Sequence, residues 1–396
     1  MKEKPHFNKA LLFCAFAGLF YFGLIDNGRG PAYPEILRGL GFSNREGSFL
    51  FALTSLLSFL LTIFSHKWLK NLSLEVAMKW GWAFLSLSAL FYGLSGFLVS
   101  GPLIILASFI QGIGMGMTGM TMNLMVEAAS PASHRRRTFS ALHGTYGVAS
   151  FLAPLLYTWF KDFGLSWPHF FFALALLGPV IFIAAPKTND DDQIFSHIPD
   201  PNLDFKLPLP FLIILGLTVG TYVASEIVVS SRLVLFLEEG QALTNKEASY
   251  YLSGFFIALM GGRLFMGLVD IPFHGSSILL TSLLSTMTLL LLGHQGYLFC
   301  FSLTGLSMSV FFPAFMDWLA DSFPRDFQKT TTFVLSGIGL HLVLMHLGFG
   351  QIAEKLGIKK AMGLATLLTL ASLVLTLISL SWTKRLQAIS KQPKES

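Results

Sequence analysis

Long apolar stretches separated by short polar segments dominate the sequence, and each stretch is about as long as a helix needs to cross a bilayer. The hydrocarbon core is about 30 Å thick, which requires about 20 residues of α-helix. Twelve stretches approach or exceed this length. They are residues 9–38, 46–66, 76–99, 102–128, 138–160 and 166–185, followed by 208–238, 247–268, 275–293, 297–320, 329–353 and 360–382. The pattern predicts an all-α membrane protein with twelve transmembrane helices.

A polar segment divides the twelve stretches into two sets of six. Residues 186–207 contain the acidic run Asp190-Asp191-Asp192 and the turn formers Pro199 and Pro201, which a membrane-spanning helix does not contain. We therefore predict two six-helix halves, residues 1–185 and 208–396, joined by a cytoplasmic linker at 186–207. Such paired halves are characteristic of secondary transporters.

Composition supports the membrane assignment and bears on orientation. Hydrophobic residues make up 53% of the chain and charged residues only 12%, against about 25% charged in soluble domains. Seventeen Lys and Arg residues fall on the linker side of the predicted spans and seven on the other side. The positive-inside rule then places the linker and both termini in the cytoplasm. The short loops suit a bacterial inner membrane, and the net charge of +5 is attributed to these loops rather than to nucleic-acid binding.

Ionisable residues inside the spans are candidates for function, because a charge in hydrocarbon costs several kcal/mol unless it faces a partner or a cavity. Asp26 and Arg29 lie three residues apart in helix 1, so they share a face. They either form a structural ion pair or bind substrate or protons. Nearby glycines and prolines, Pro31 among them, predict a loosened helix that lines a cavity.

Helix 7 carries a polar stripe in an otherwise apolar span. Tyr222, Glu226 and Ser230 recur every four residues and therefore lie on one face. A carboxylate in the bilayer beside hydroxyls can exchange a proton, since desolvation favours its neutral form. We single out Glu226 as the main candidate for coupling or substrate contact, with Tyr222 beside it. A protonated Glu226 bonded to a neighbouring helix is the structural alternative.

Further polar residues lie in helices 4, 5 and 11. Gln111 and Asn123 flank Gly112, Gly116 and Gly119, whose spacing favours close helix packing.

Three more candidates for substrate or proton binding are His143, Tyr146 and His341. Histidine titrates near neutral pH and suits a proton relay, although isolated histidines in helix bundles are often structural.

One further arginine and the motifs that the sequence lacks complete the residue-level analysis. Arg263, near the cytoplasmic end of helix 8, is predicted to latch the inner gate. His341 and His346 lie five residues apart, on different faces of one helix, so they do not form a metal site by themselves. No nucleotide-binding or hydrolase motif occurs, so neither a cofactor nor a metal nor an enzymatic activity is expected.

Several segments resemble the major facilitator superfamily and, within it, the fucose:proton symporter group. The resemblance rests on five segments: residues 112–123, 142–147 with Pro154, 222–226, 262–264 and 305–313. It implies twelve helices in the major facilitator fold and a central site between the halves. Fucose-type members carry a carboxylate in helix 4, four residues before the asparagine that Asn123 resembles; here that place is Gly119.

The same resemblance points to a gate between helices 2 and 3. Superfamily members carry a loop of glycines, an aspartate and basic residues that locks the cytoplasmic side. The matching segment here, residues 62–70, keeps Lys67 and Lys70 but has His66 in the acidic place. The resemblance implies that His66 and Lys67 belong to an altered form of this gate.

These features predict a secondary active transporter, acting as a monomer, that moves a small polar solute such as a sugar together with protons. The main alternative is a proton-coupled antiporter that exports hydrophobic or cationic compounds, which the 39 phenylalanines and 14 methionines would suit. A transporter-like sensor or an intramembrane enzyme is a third possibility, disfavoured by the missing motifs.

Overall fold

Local sequence signals set the helix ends and keep the connections between helices short. The first helix ends at Gly41, whose φ of 65° lies in the left-handed region that glycine adopts without strain. Two residues later Ser43 and Glu46 form a capping box that starts the second helix. The chain therefore reverses within a few residues, so that the second helix runs antiparallel to the first.

The computed structural model describes residues 7–131, 134–186, 207–268, 275–323 and 327–390. These ranges contain twelve long helices and no strand. The first six are α1 (Lys9–Leu40), α2 (Asn44–Ile63), α3 (Leu74–Phe97), α4 (Gly101–Ala129), α5 (Arg135–Asp162) and α6 (Trp167–Ala184). The second six are α7 (Leu209–Leu235), α8 (Asn245–Leu268), α9 (Gly275–His294), α10 (Phe299–Ser309 with Phe311–Ser322), α11 (Phe327–Leu356) and α12 (Ile358–Ser390). Nine of these described helices are long and apolar enough to cross a membrane.

Two helices depart from regular α-helical geometry. The tenth helix is interrupted at Val310, three residues before Pro313, because proline lacks an N–H and its ring clashes with the preceding turn. The seventh helix continues beyond Leu235 as a π-helical turn, Phe236–Gly240. In contrast, α1 runs unbroken through Pro31 and Pro34, so the loosening expected there is not seen as a break.

Buried side chains form two hydrophobic clusters. One is built only from helices α1 to α6, with large side chains such as Trp82, Tyr21 and Phe171. The other is built mainly from α7 to α12, and it also takes in Tyr33, Leu37 and Phe51 from α1 and α2. The two sets of helices therefore pack separately in their interiors and share a contact near Phe51.

We call the end of the bundle that carries the α1–α2, α5–α6 and α7–α8 connections the distal end, since it lies opposite the chain termini. Four hydrogen-bonded contacts toward this end join α1–α6 to α7–α12. They pair Arg38 with Glu238, Ser48 with Arg232, the Pro31 carbonyl with Asn245, and Asp162 with Lys246. The distal end of the bundle is closed.

Glycine on α4 brings this helix against α2. A Cβ at Gly112 would lie 2.6 Å from the Thr54 carbonyl oxygen, and one at Gly116 would lie 2.6 Å from Leu61. The third glycine of this stripe, Gly119, has nothing within 4 Å of that position. The packing explanation of the stripe therefore fits two of the three glycines.

This difference yields a matched test on one helix. We expect Gly112→Ala to destabilise the protein by about 1–3 kcal/mol, because the added methyl forces α2 and α4 apart. Gly119→Ala should be neutral or slightly stabilising, since alanine favours helix over glycine by about 1 kcal/mol. The apparent unfolding temperature of each purified variant in detergent measures this, and equal values for the two variants would contradict the packing described here.

Candidate functional site

The first polar cluster lies on α1 and is built around Arg29. This side chain is only 5% exposed and forms an ion pair with Asp26 one turn earlier. Its NH1 donates to the Thr54 hydroxyl at 3.2 Å, and its Cζ lies 4.4 Å from the centre of the Phe51 ring. The ion pair that the spacing of Asp26 and Arg29 predicts is present, and α2 holds it in place.

Helix α5 extends this cluster toward the middle of the bundle. The Tyr146 hydroxyl donates to Asp26 Oδ2 at 3.3 Å, and Asn27 Nδ2 donates to the Tyr146 oxygen at 3.1 Å. Asn27 Nδ2 also lies 2.9 Å from Ser150 Oγ. The close approach of α1 and α5 depends on Gly23, where a Cβ would lie 2.8 Å from the Ala149 Cβ. Glycine thus places Tyr146 within reach of Asp26.

The second polar cluster is built around Glu226 on α7. Arg263 NH2 lies 3.2 Å from Glu226 Oε1, and the Tyr222 hydroxyl lies 2.9 Å from Glu226 Oε2. Tyr222 also contacts the Met308 carbonyl and stacks on Phe311, with ring centres 4.1 Å apart. The carboxylate side chain is only 13% exposed. A buried carboxylate with a charged partner and a hydroxyl partner can bind a polar ligand or exchange a proton.

Helix α5 lies between the two clusters, because it packs against both α1 and α8. Carboxylates, guanidinium groups and tyrosine hydroxyls from α1, α5, α7 and α8 therefore face one region between the two sets of helices. Five of the residues predicted from sequence come together there, together with the predicted gate residue Arg263. The five are Asp26, Arg29, Tyr146, Tyr222 and Glu226.

The other four predicted binding residues are not joined to these clusters by a hydrogen bond or ion pair in the described chain. One of them, His143, has an exposed side chain on α5. Gln111 is fully buried, and neither atom of its amide has a hydrogen-bond partner there. Asn123 donates to the Gly119 carbonyl of its own helix at 2.8 Å. His341 Nδ1 lies 2.8 Å from the Gly337 carbonyl, also of its own helix, and packs against Gly220. Their assignment to the binding site stays a prediction.

The predicted gate segment forms a short helical turn, Ser65–Trp68, between α2 and α3. Lys67 is exposed, and its ammonium lies 5.0 Å from the centre of the Phe64 ring. The side chain of His66 lies outside the part of the structure that is described. The gating role of these residues stays a prediction. Arg263, assigned to the same gate from sequence, instead contacts Glu226 in the second cluster.

Sequence reasoning missed Arg232, a fully buried arginine of α7. Its Cζ lies 4.0 Å from the centre of the Phe51 ring and 4.5 Å from that of Tyr33, and NH2 lies 3.3 Å from His346 Nδ1. A charged residue within an apolar span was the available signal. Its aromatic surroundings come from three other helices and could not be found by spacing along the chain.

A surface cavity lies away from both clusters. It has a volume of about 880 Å³ at the distal end between α2, α4 and α11, lined by residues such as Phe49, Pro102 and Gln351. None of the predicted site residues lines it. Within the described ranges, no group of three or more His, Cys, Asp or Glu side chains is arranged to hold a metal ion.

Apolar helices around an interior of paired charges define a membrane transporter, and comparison with known proteins identifies the family. The sequence model of the Major Facilitator Superfamily matches residues 15–339, and the chain belongs to this superfamily. It is a multi-pass integral membrane transporter for a small molecule, not an enzyme.

Two individual proteins illustrate the likeness. The crystal structure of a bacterial homolog to the human lysosomal transporter Spinster, in an inward-facing and occupied conformation, superposes with a TM-score of 0.69 at 12% identity. The match covers 94% of this chain and 97% of that one, and it shows the fold. Bypass of stop codon protein 6 of Saccharomyces cerevisiae is 23% identical over 185 residues, which cover 40% of this chain and 37% of that protein.

Substitutions in the ion pair of the first cluster test whether its two charges stabilise each other. Replacing Asp26 by Asn leaves Arg29 buried without a counter-charge, and breaking a buried pair in this way typically costs about 3–5 kcal/mol. We expect the double variant Asp26→Asn, Arg29→Gln to be more stable than Asp26→Asn alone, as judged by the apparent unfolding temperature in detergent. If the destabilisation caused by Asp26→Asn and that caused by Arg29→Gln add up to the destabilisation of the double variant, the two residues are not energetically coupled.

Proposed function

We propose that this protein is a secondary active transporter that moves a small polar solute, a sugar or a related compound, together with protons by alternating access. Residues 1–185 and 208–384 would rock against each other around the region between the two polar clusters. The observation that carries the proposal is the position of Glu226, a largely buried carboxylate with a guanidinium and a hydroxyl as partners.

The chemistry of the two clusters suits a polyhydroxylated solute. Carboxylates and amide oxygens accept hydrogen bonds from hydroxyl groups, whereas guanidinium groups donate to them. Tyr146 offers an aromatic face beside these groups. Membership of the superfamily agrees with a small-molecule substrate bound within the membrane.

Glu226 is the residue that we assign to proton coupling. Protonation would neutralise it and weaken its pairing with Arg263, so the state of the proton would alter the hydrogen bonds available to the solute. One proton moving down a membrane potential of 100 mV yields about 2.3 kcal/mol, which supports a concentration gradient of tens-fold. A single titrating carboxylate is therefore sufficient.

The closed distal end supports an alternating mechanism. With the termini and linker in the cytoplasm, as the distribution of Lys and Arg indicates, the distal end faces outward. The structure would then represent the state closed to the outside. Outward opening requires the contacts of Asp162 with Lys246 and of Arg38 with Glu238 to break.

The resemblance to the fucose:proton symporters supports coupling to protons, with one change. Because Gly119 occupies the place of the helix 4 carboxylate of that group, Glu226 and Asp26 are the carboxylates available in the two clusters. The antiport alternative, with a cationic cargo, is disfavoured by three arginines of this region. Arg29 and Arg263 pair with the two carboxylates, and Arg232 lies beside the same Phe51 ring as Arg29.

Uptake into proteoliposomes tests the coupling. We expect concentrative uptake of at least one member of a labelled panel of hexoses, pentoses, sugar alcohols and organic acids, only with an inward proton gradient. Glu226→Gln should abolish concentrative uptake while solute counterflow survives. The variant keeps the solute-binding site but lacks the carboxyl group that carries the coupled proton. Glu239→Gln, which changes an exposed carboxylate just beyond the end of the same helix, is the control. Gradient-independent uptake by the unmodified protein would contradict proton symport.

Cross-linking at the distal end tests alternating access. Asp162 and Lys246 are replaced by cysteine in a variant lacking Cys14 and Cys300, and a reducible bifunctional thiol reagent joins them. We expect transport to stop and to return after reduction, since α5 and α8 can no longer separate.

The matched control joins Glu35 and Lys161, a contact 3.0 Å long within the first six helices. Cross-linking this pair should leave transport intact, because both residues lie in one half. Undiminished transport after cross-linking Asp162 to Lys246 would show that this end does not open.

A further inference from the structure

The charges buried between the two sets of helices do not balance. Asp26 is paired with Arg29, and Glu226 with Arg263. Arg232 adds a third positive charge, and no carboxylate of the described chain lies within ion-pair distance of it. Burying a charge without a counter-charge is unfavourable, so a fixed, uncompensated arginine requires another explanation.

The guanidinium of Arg232 has unused hydrogen-bonding capacity. Its Nε and NH1 have no hydrogen-bond partner in the described chain. NH2 makes only long contacts, 3.3 Å to His346 Nδ1 and 3.5 Å to Ser48 Oγ. A guanidinium carries five N–H donors in a fixed plane, an arrangement that suits carboxylate and phosphate groups.

Aromatic rings, not anions, surround this guanidinium in the closed state. Phe51 and Tyr33 lie 4.0 and 4.5 Å from Cζ, and Phe349 lies at 5.2 Å. Cation–π contacts of this kind offset part of the cost of burial. The last turn of α7 also favours a positive charge, but the helix continues as a π-helical turn to Gly240, so its terminal carbonyls lie further along the chain.

The surroundings of Arg232 divide between the two sets of helices. Arg232, His346 and Phe349 belong to α7 and α11, whereas Tyr33, Ser48 and Phe51 belong to α1 and α2. Opening of the distal end would withdraw the second group and leave the guanidinium facing the gap. The aromatic rings therefore occupy the place of an anion while the distal end is closed.

We propose that the transported solute is an anion, and that Arg232 binds its carboxylate or phosphate group when the distal end opens. This inference rests on the proposed function, because it assigns a substrate class to the same central region. The neutral part of the solute, with its hydroxyl groups, would face the clusters of Asp26 and Glu226. One negative charge on the solute balances the one uncompensated arginine.

The test measures binding to the purified full-length protein in detergent, without any proton gradient. The probes share one scaffold: glucose, glucuronate and glucose 6-phosphate, with inorganic phosphate as the simplest anion, and binding is read from the rise in apparent unfolding temperature. We expect the anions to stabilise the unmodified protein and glucose to have little effect. Arg232→Gln should weaken anion binding on the order of tenfold or more, and Arg232→Lys should weaken it less.

Lys161→Gln is the matched control, since it removes a distal cation of α5 that pairs with Glu35 within the first six helices. It should leave anion binding unchanged. Equal stabilisation by glucose and its anions, or no stabilisation by any probe at tens of millimolar, would overturn the proposal. Anion binding that survives Arg232→Gln would overturn it too.

Three further results distinguish this inference from related hypotheses. Stabilisation by phosphatidylglycerol vesicles but not by the soluble anions would assign Arg232 to a lipid headgroup and overturn the solute proposal. Proton-driven uptake of neutral solutes only would overturn the anion inference and leave proton symport standing. Anion binding that depends on Arg232, without any effect of a proton gradient on uptake, would contradict proton coupling and support the anion site.

Discussion

A charge inside an apolar helix bundle needs a partner, and the interior of this protein is arranged around that constraint. Asp26 neutralises Arg29, and Glu226 neutralises Arg263. Each pair also has a tyrosine within hydrogen-bonding reach, Tyr146 in the first cluster and Tyr222 in the second. Glycines such as Gly23 and Gly262 allow the helices that carry these groups to approach each other closely. The packing of small residues and the placement of charge therefore depend on each other.

The distribution of the ion pairs explains how such an interior can also move. Neither central ion pair crosses between the two sets of helices. Asp26 and Arg29 both lie on α1, in the first set, and Glu226 and Arg263 lie on α7 and α8, in the second set.

Each ion pair that crosses between the sets has at least one half-exposed side chain. In the pair of Arg38 with Glu238, the arginine is 56% exposed and the glutamate 9%. Asp162 and Lys246 have side chains that are 50% and 49% exposed. Exposed pairs contribute about 0–1 kcal/mol, whereas breaking a buried pair costs several times more. The two sets can therefore separate at the distal end without disrupting the charges that form the candidate site.

Periodicity along the chain predicted the contacts that lie within one helix. The three-residue step from Asp26 to Arg29 and the four-residue step from Tyr222 to Glu226 both correspond to contacts in the structure. Apolar length likewise predicted twelve helices, although the break at Val310 required the local effect of Pro313.

Contacts between helices could not be predicted from spacing along the sequence. Arg263 is 37 residues from Glu226, and its assignment to a gate did not anticipate their ion pair. Tyr146 reaches Asp26 across 120 residues. The aromatic cage of Arg232 combines side chains from α1, α2 and α11, and no spacing along one helix reports on such a set. Only the packing of the bundle brings these residues together.

Distances between spin labels at the two ends of the bundle test alternating access most directly. One pair of labels replaces exposed Phe163 and Gln295 at the distal end, and another replaces exposed Lys70 and Asp321 at the end near the termini. Pulsed electron paramagnetic resonance in liposomes, at high and low pH and with a transported solute, should show two populations. In one population the distal labels are close together and the labels near the termini far apart, and in the other the reverse holds. A single, unchanging distance at both ends under all conditions would contradict alternating access.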